Sequence, residues 1–224
     1  MVGKFTFATR EEGFDQHIEQ SIRGYSNLWN DVLQLSRYFV EDHTNVVDIG
    51  CSTGKLLTSM IDQNDSFAPR ASYNGVEVEE DFYEGYEEDE SRIMYHKQDV
   101  RDYHFKNNSL ITSIFTLQFM PPKDRKTVMK RIYNGLNTGG GFVFAEKVFS
   151  DDAKIQDMIT FMYYDYKRKS FTSDDILNKE IELRHMMKPD TTDMLETRCF
   201  EVGFDCVQQF WQNHNFVGFI AIKK

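Results

Sequence analysis

With 224 residues, 40% of them hydrophobic, the chain can bury one full core, so we predict a single domain over residues 1–224. Its formal net charge of −10 argues against direct nucleic-acid binding, because tight phosphate contact requires a wide basic surface. Its three cysteines are scattered, which excludes a zinc site or a disulfide framework. The first 15 residues are charged and the apolar runs are short, so we predict a cytoplasmic protein that does not enter a membrane.

The predicted elements alternate between helices and strands. An N-terminal helical segment covers 14–40, and a helical insertion covers about 151–187. Strands are predicted at 46–50, 73–78, 93–97, 110–119 and 142–146, helices at 54–63, 121–136 and 190–202, and a closing hairpin at 205–212 and 215–222. Such alternation favours parallel pairing. The fold class is therefore α/β: a Rossmann-like, mostly parallel seven-stranded sheet with a C-terminal antiparallel hairpin.

The first strand runs into the sequence Asp-Ile-Gly-Cys-Ser-Thr-Gly at 48–54. Glycines at Gly50 and Gly54 allow a sharp turn and let a ligand approach the backbone closely. The pattern lacks the spacing of a dinucleotide fingerprint and the Lys-Ser/Thr pair of a phosphate loop. An acid followed by this turn suits a ligand with an amino-acid part and an adenosine. We therefore predict S-adenosylmethionine (SAM) or S-adenosylhomocysteine as the ligand.

Acidic and aromatic residues follow the ends of the next strands. Ligands of open α/β sheets bind outside the carboxyl ends of the strands, where the strand order reverses. Glu77 follows the second strand and is placed to accept ribose hydroxyls, and Asp99 follows the third and is placed to accept the adenine amine. Phe115 begins the segment that follows the fourth strand.

From about Phe14 to Ile222 the chain resembles the carboxy-S-adenosylmethionine synthases, which have the class I SAM-methyltransferase fold. The resemblance is carried by residues 21–27 (Ser-Ile-Arg-Gly-Tyr-Ser-Asn), 48–52, 115–119 (Phe-Thr-Leu-Gln-Phe), 132–137, 139–140, 146–147, 152–154, 165–168 and 215–216. That family converts SAM and prephenate to carboxy-SAM, which a partner enzyme uses on the wobble uridine of tRNA. The resemblance also implies a homodimer that handles small molecules and does not contact tRNA itself.

The resemblance implies a role for several residues. Tyr25 would line the sulfonium and donor-group pocket. The methionine part would lie against the turn, the ribose on Glu77, and the adenine beside Asp99 and Val100. The full set of predicted cofactor-binding residues is Tyr25, Asp48, Gly50, Cys51, Ser52, Gly54, Glu77, Val78, Asp99, Val100, Ile114 and Phe115. Val78 and Ile114 replace polar residues of the family, so two polar contacts to the cofactor are lost.

A third departure concerns the new carboxylate. The family clamps it with an arginine that follows a lysine in the second inserted helix, whereas here Lys179 is followed by Glu180. Two unit charges about 4 Å apart interact by roughly 4 kcal/mol at an effective dielectric near 20, so this reversal disfavours carboxy-SAM. Arg184 lies one helical turn later and is the alternative clamp. We assign Tyr25, Glu180 and Arg184 as the candidate catalytic residues.

Three functions follow from these observations. Loss of the clamp favours a SAM-dependent methyltransferase with an unidentified acceptor. A carboxy-SAM synthase is the alternative, and it requires positive charge for the prephenate dianion, for which Arg23, Lys147 and Arg168 are candidates. A non-catalytic SAM-binding subunit is the third possibility, because the sequence contains no obvious general base.

Overall fold

The computed structural model describes residues 13–86 and 92–224. Residues 1–12, which make up most of the charged N-terminal segment, lie outside the described part. The strands of this part are β1 Asn45–Ile49, β2 Ser72–Glu77, β3 Ile93–Lys97, β4 Asn108–Ile114, β5 Leu136–Lys147, β6 Cys206–Asn213 and β7 Phe216–Ile222. They form one sheet in the order β3-β2-β1-β4-β5-β7-β6. The first five pair in parallel, and β7 is antiparallel to both β5 and β6. The predicted fold class is confirmed.

The helices of the described part cover both faces of the sheet. Their bounds are α1 Phe14–Ser21, α2 Tyr25–Phe39, α3 Lys55–Asn64, α4 Pro122–Gly135, α5 Ala153–Lys167, α6 Ser173–Met186 and α7 Thr192–Val202. Apolar side chains of α2 and α3 pack in one core cluster, and those of α4 and α7 pack in a second cluster. Among these described helices, none is both long enough and apolar enough to cross a membrane.

The predicted helical segment 14–40 is divided into α1 and α2. Gly24 separates them with a left-handed backbone, φ +75°. A Cβ at this position would lie 2.7 Å from Asn213 Nδ2, so the last residue of β6 leaves no room for a side chain. The break therefore depends on a distant contact, whereas local helical periodicity alone predicts one continuous helix.

Two strand ends also differ from the prediction. The predicted strand 110–119 ends at Ile114, because Phe115 has a φ of +58° and turns the chain into a short 3-10 helix, Leu117–Phe119. The glycines at 139–141 belong to β5 rather than to a loop. Their backbone is held by Lys223, whose carbonyl accepts a hydrogen bond from Gly139 N at 2.7 Å.

A buried arginine joins the loop after β4 to the loop after α6. The Arg125 side chain is 2% exposed, and its guanidinium contacts Asp190 at 2.8 Å. It also donates to the carbonyls of Gln118, Met120 and Lys188. Asp190 is shared with a second guanidinium, that of Arg198, at 2.7 Å. This network sets the position of the loop that carries Gln118.

Replacing Arg125 by alanine is expected to destabilise the protein by about 3 kcal/mol or more, because removal of one partner leaves a buried carboxylate and several carbonyls without donors. Urea unfolding followed by circular dichroism measures this change. Lys126→Ala is the matched control on the same helix, since its ion pair with Glu201 is more than half exposed on the lysine side. The control should change the free energy of unfolding by at most about 1 kcal/mol. Equal effects of the two substitutions would contradict the assigned role of Arg125.

Candidate functional site

The turn after β1 has a backbone that only glycine adopts readily. Gly50 and Gly54 have φ values of +72° and +74°, and Ser52 between them has a φ of +47°. A Cβ on Gly50 would lie 2.2 Å from Thr116 Oγ1, and one on Gly54 would lie 2.1 Å from the Tyr95 hydroxyl. The turn is therefore packed against the end of β4 on one side and against β3 on the other.

The carboxylate of Glu77 closes this turn from the end of β2. Its Oε2 accepts a hydrogen bond from Ser52 N at 2.9 Å. Its Oε1 accepts from Val78 N at 2.8 Å and from Glu79 N at 2.9 Å. A carboxylate has about four acceptor positions, so three backbone donors leave one position for a ribose hydroxyl. Glu77 thus holds the turn and still presents an acceptor to the cavity.

Two stacked tyrosines support the turn from below. The rings of Tyr86 and Tyr95 are parallel, with centroids 3.7 Å apart. The Tyr86 hydroxyl donates to the carbonyl of Ser52 at 2.6 Å and lies 3.5 Å from the sulfur of Cys51. Burial raises the pKa of the Cys51 thiol, so it stays protonated. The structure places Cys51 beneath the turn and outside the cavity lining.

Asp48 lies behind the turn, at the end of β1. Its side chain is buried, and Oδ1 accepts a hydrogen bond from Thr112 Oγ1 at 2.7 Å. Burial raises the pKa of Asp48 to about 7, the Thr112 hydrogen bond opposes this shift, and the Glu77 carboxylate adds to it. A positively charged ligand next to the turn would favour the ionised form of Asp48.

Asp99 and Val100 lie farther along the same edge of the sheet. The Asp99 carboxylate pairs with the Arg101 guanidinium at 2.7 Å, which lowers the pKa of Asp99. Arg101 also pairs with Asp124 at 3.0 Å. Val100 is buried in the core cluster of α4 and α7. Neither Asp99 nor Val100 lines the cavity that begins at the glycine turn, so their predicted contact with adenine stays a prediction.

A cavity begins at the glycine turn and extends beneath α5 and α6. Its described lining is Phe14, His17, Ile18, Ser21, Ile22, Gly50, Ser52, Glu77, Val78, Glu79, Phe82, Ile114, Phe115, Thr116, Gln118, Phe119, Lys147, Tyr163, Lys167, Lys179, Leu183, Met187 and Phe216. Six predicted cofactor-binding residues are among them: Gly50, Ser52, Glu77, Val78, Ile114 and Phe115. The two ends differ in charge, because carboxylates lie at the turn and lysines lie at the opposite end.

Tyr25 lies just behind the cavity wall. Its ring is buried and packs beside Phe115, with centroids 6.3 Å apart. Phe115 in turn contacts Phe216, whose ring lies 5.6 Å from that of Tyr163. These rings form a continuous aromatic wall from the turn to the lysine end. Tyr25 supports this wall, and its predicted contact with the donor group remains a prediction.

Three lysines line the far end of the cavity. Lys147 is the last residue of β5, Lys167 ends α5, and Lys179 lies in α6. The ammonium nitrogens of Lys147 and Lys167 lie 5.0 and 5.3 Å from the centroid of the Tyr163 ring, within the range of cation–π attraction. Burial raises the pKa of the Tyr163 hydroxyl, so that ring stays neutral between two cations.

Neither of the predicted catalytic residues on α6 lines the cavity. Glu180 lies outside the cavity lining, and its Oε1 is 3.4 Å from Lys147 Nζ. Arg184 is exposed on the last turn of α6 and does not line the cavity. Glu180 is thus paired with Lys147, which lines the cavity, and Arg184 does not line it.

The other predicted cations lie elsewhere. Arg23 is exposed, with its Nη1 3.4 Å from His214 Nε2, and Arg168 pairs with Asp165 on the surface of α5. Sequence reasoning named Lys147 only as a candidate cation and did not assign Lys167 or Lys179 to the site. The position of Lys147 at the carboxyl end of β5 is the signal that identifies it, whereas Lys167 and Lys179 lie on helices whose orientation the sequence does not define.

Comparison with known proteins agrees with this geometry. A methyltransferase domain family matches residues 46–140. The carboxy-S-adenosyl-L-methionine synthase of Staphylococcus epidermidis is 32% identical over 98% of this chain and 97% of its own length. The synthase of Shewanella sp. strain ANA-3 is 33% identical over 99% of this chain and 94% of its own length.

A solved structure supports the fold alone. Human N-acetylserotonin methyltransferase in complex with SAM superposes with a TM-score of 0.59 at 16% identity, over 87% of this chain and 51% of its own length. The near full-length match to the synthases is the stronger finding, because it covers the inserted helices as well as the sheet. The chain belongs to the carboxy-S-adenosyl-L-methionine synthase family, within the class I SAM-dependent methyltransferase superfamily.

Proposed function

We propose that this chain is a carboxy-SAM synthase that binds SAM at the glycine turn and takes the carboxyl group from prephenate. The methyl group of SAM loses a proton and gains the carbon dioxide that prephenate releases, while prephenate also loses its ring hydroxyl as hydroxide, so that phenylpyruvate and water are the other products. The observation that carries the proposal is the lysine end of the cavity, formed by Lys147, Lys167 and Lys179. Prephenate is a dianion, and carboxy-SAM carries one more carboxylate than SAM. Binding of either molecule therefore requires positively charged side chains in the part of the cavity that lies beyond the donor methyl group of SAM.

The charges of the cavity favour an anion at the far end. A carboxylate about 4 Å from one ammonium gains roughly 4 kcal/mol at an effective dielectric near 20, before the cost of desolvation. Three lysines line this end, beside the wall of Phe115, Phe216 and Tyr163. A site for a neutral methyl acceptor would not need three lysines in its lining.

The end of the cavity at the glycine turn fits SAM, the other reactant. Glu77 presents an acceptor for a ribose hydroxyl, and the walls at Val78, Ile114 and Phe115 are apolar. Gly50 and Ser52 of the turn also line this end, and the turn keeps its shape only with glycine at position 50, because a Cβ there would collide with the Thr116 side chain. These residues would hold SAM with its sulfonium towards the aromatic wall, where its positive charge is favourable.

One observation favours methyl transfer as the second candidate. Glu180 offsets the charge of Lys147 at 3.4 Å, and Glu182 Oε2 lies 3.8 Å from Lys179 Nζ, so at least two of the three lysines already have an acidic partner. A less positive far end would accept carboxy-SAM less well. This leaves methyltransferase activity on an unidentified acceptor as the alternative function.

The first experiment is to identify the small molecule that the purified protein releases on denaturation, by mass spectrometry, and then to incubate protein, SAM and prephenate. We expect carboxy-SAM in the released fraction and its formation only when prephenate is present. A reaction without prephenate is the control for carboxy-SAM that was already bound to the purified protein. SAM or S-adenosylhomocysteine alone, with no carboxy-SAM after incubation, would contradict the synthase and support methyl transfer.

The pH dependence of SAM binding tests the placement of Asp48. Its pKa is about 7, so it is protonated below that value, and the cationic ligand favours the ionised form. Affinity for SAM should therefore rise between pH 5.5 and pH 7.5, by up to about tenfold per unit below the pKa, with release of a proton. Calorimetry in two buffers of different ionisation enthalpy measures both quantities.

The matched variants for this measurement are Asp48→Asn and Asp62→Asn, the second of which changes an exposed carboxylate on α3. Asp48→Asn should abolish the pH dependence and the proton release, and Asp62→Asn should leave both unchanged. An unchanged slope in Asp48→Asn would show that another group titrates.

We infer that the enzyme is a cytoplasmic homodimer and that its product serves a separate enzyme of tRNA wobble-uridine modification. The net charge of −10 supports a protein that does not contact tRNA itself.

Exposed apolar side chains on α5 support the dimer, because Ile155, Met158 and Met162 are at least half exposed and a second copy would cover them. Light scattering after size exclusion should give twice the mass of 26.4 kDa. A mass of one chain would exclude the dimer.

A further inference from the structure

The ion pair between Lys147 and Glu180 lies at the boundary of the cavity. The nitrogen–oxygen distance is 3.4 Å, and the two side chains are 12% and 20% exposed. Lys147 lines the cavity and Glu180 does not. Charge-assisted hydrogen bonds of this type are usually 2.7–2.9 Å long, so this contact is a loose one. One ammonium thus faces both a carboxylate of α6 and the space that an anionic ligand would occupy.

The helix that carries Glu180 is lightly packed over the cavity. Of its residues, Ile176 alone is fully buried. The segment after α6 is anchored, since Lys188 N donates to Gln118 O at 2.9 Å and Lys188 O accepts from Arg125. Elements with few buried apolar contacts open locally at low cost. Glu180, two turns before the anchor, can therefore leave Lys147 without unfolding of the sheet.

We propose that Glu180 is a specificity-determining residue, which occupies Lys147 in place of the substrate's carboxylate and is displaced by it. This inference rests on the proposed function and adds the substrate class that the far end selects. One carboxylate replaces another at the same ammonium, so the number of ion pairs stays constant and Glu180 moves towards solvent. A ligand without a carboxylate cannot make this exchange, so Lys147 stays paired with Glu180.

The second carboxylate of a dianion then has its own partners. Lys179 lines the cavity from the same helix as Glu180, and Lys167 lines it from α5. Exchange at Lys147 combined with contact at either of these lysines would favour a dicarboxylate over a monocarboxylate. The sequence neighbours Lys179 and Glu180 thus have opposite roles, the first attracting the ligand and the second competing with it.

The test is calorimetric titration of prephenate, and separately of malonate, into protein saturated with S-adenosylhomocysteine, which has no methyl group to transfer. Glu180→Gln removes the competing charge and should tighten the binding of both anions by about fivefold, the effect of one partly exposed ion pair. Glu201→Gln is the matched control, because it neutralises the carboxylate of the surface Lys126–Glu201 pair. It should change neither affinity.

A double-mutant cycle with Lys147→Met separates exchange from a general change of charge. Lys147→Met should weaken both anions, and Glu180→Gln should have no effect in that background. Circular dichroism and the melting temperature of each variant confirm that it is folded.

Several outcomes would overturn the inference. These are unchanged or weaker anion binding by Glu180→Gln, an equal effect of Glu201→Gln, or no binding of either anion to the wild type. A different result would contradict the proposed function while leaving the role of Glu180 intact. If Glu180→Gln tightens malonate binding but no carboxy-SAM forms from SAM and prephenate, the exchange is correct and the reaction assignment is wrong.

Discussion

The contact between the end of β1 and the end of β4 is the constraint on which the site depends. Thr116 Oγ1 donates to the carbonyl of Ile49 at 3.0 Å and fills the space where a Cβ of Gly50 would lie. The two strands are neighbours in the sheet, and the strand order reverses between them. This contact holds the glycine turn against the strained backbone at Phe115, and the cavity opens above it.

The order of the strands explains why the cavity is polar at both ends and apolar between them. Asp48 and Glu77 lie at the carboxyl ends of the adjacent parallel strands β1 and β2, so their carboxyl groups lie on the turn side. Lys147 ends β5 on the opposite side of β4. The aromatic residues after β4 therefore lie between the acidic and the basic end. This arrangement suits a cationic ligand and an anionic ligand bound side by side.

A buried acid supports the basic end. Glu146 accepts hydrogen bonds from Leu117 N at 3.0 Å and Gln118 N at 2.8 Å, and the Gln118 side chain accepts from Lys147 N at 2.6 Å. Arg125 donates to the carbonyl of the same Gln118. The cavity wall and the backbone of Lys147 are thus fixed by one hydrogen-bonded network. Lightly packed α6 is the movable part next to this rigid wall.

The sheet and the glycine turn were predictable from local patterns: alternating periodicity, glycines at a strand end, and an acid such as Glu77 at the end of the next strand. The family was indicated by the resemblance that segments such as 21–27 and 115–119 carry. The contacts of the charged side chains became known only from the folded structure. The sequence placed Glu180 as a repulsive neighbour of the transferred carboxylate, and the fold pairs it with Lys147, which is distant in the chain. The helix break at Gly24 likewise depends on Asn213. Side-chain direction and long-range approach follow from how helices pack on the sheet, and no local pattern encodes that packing.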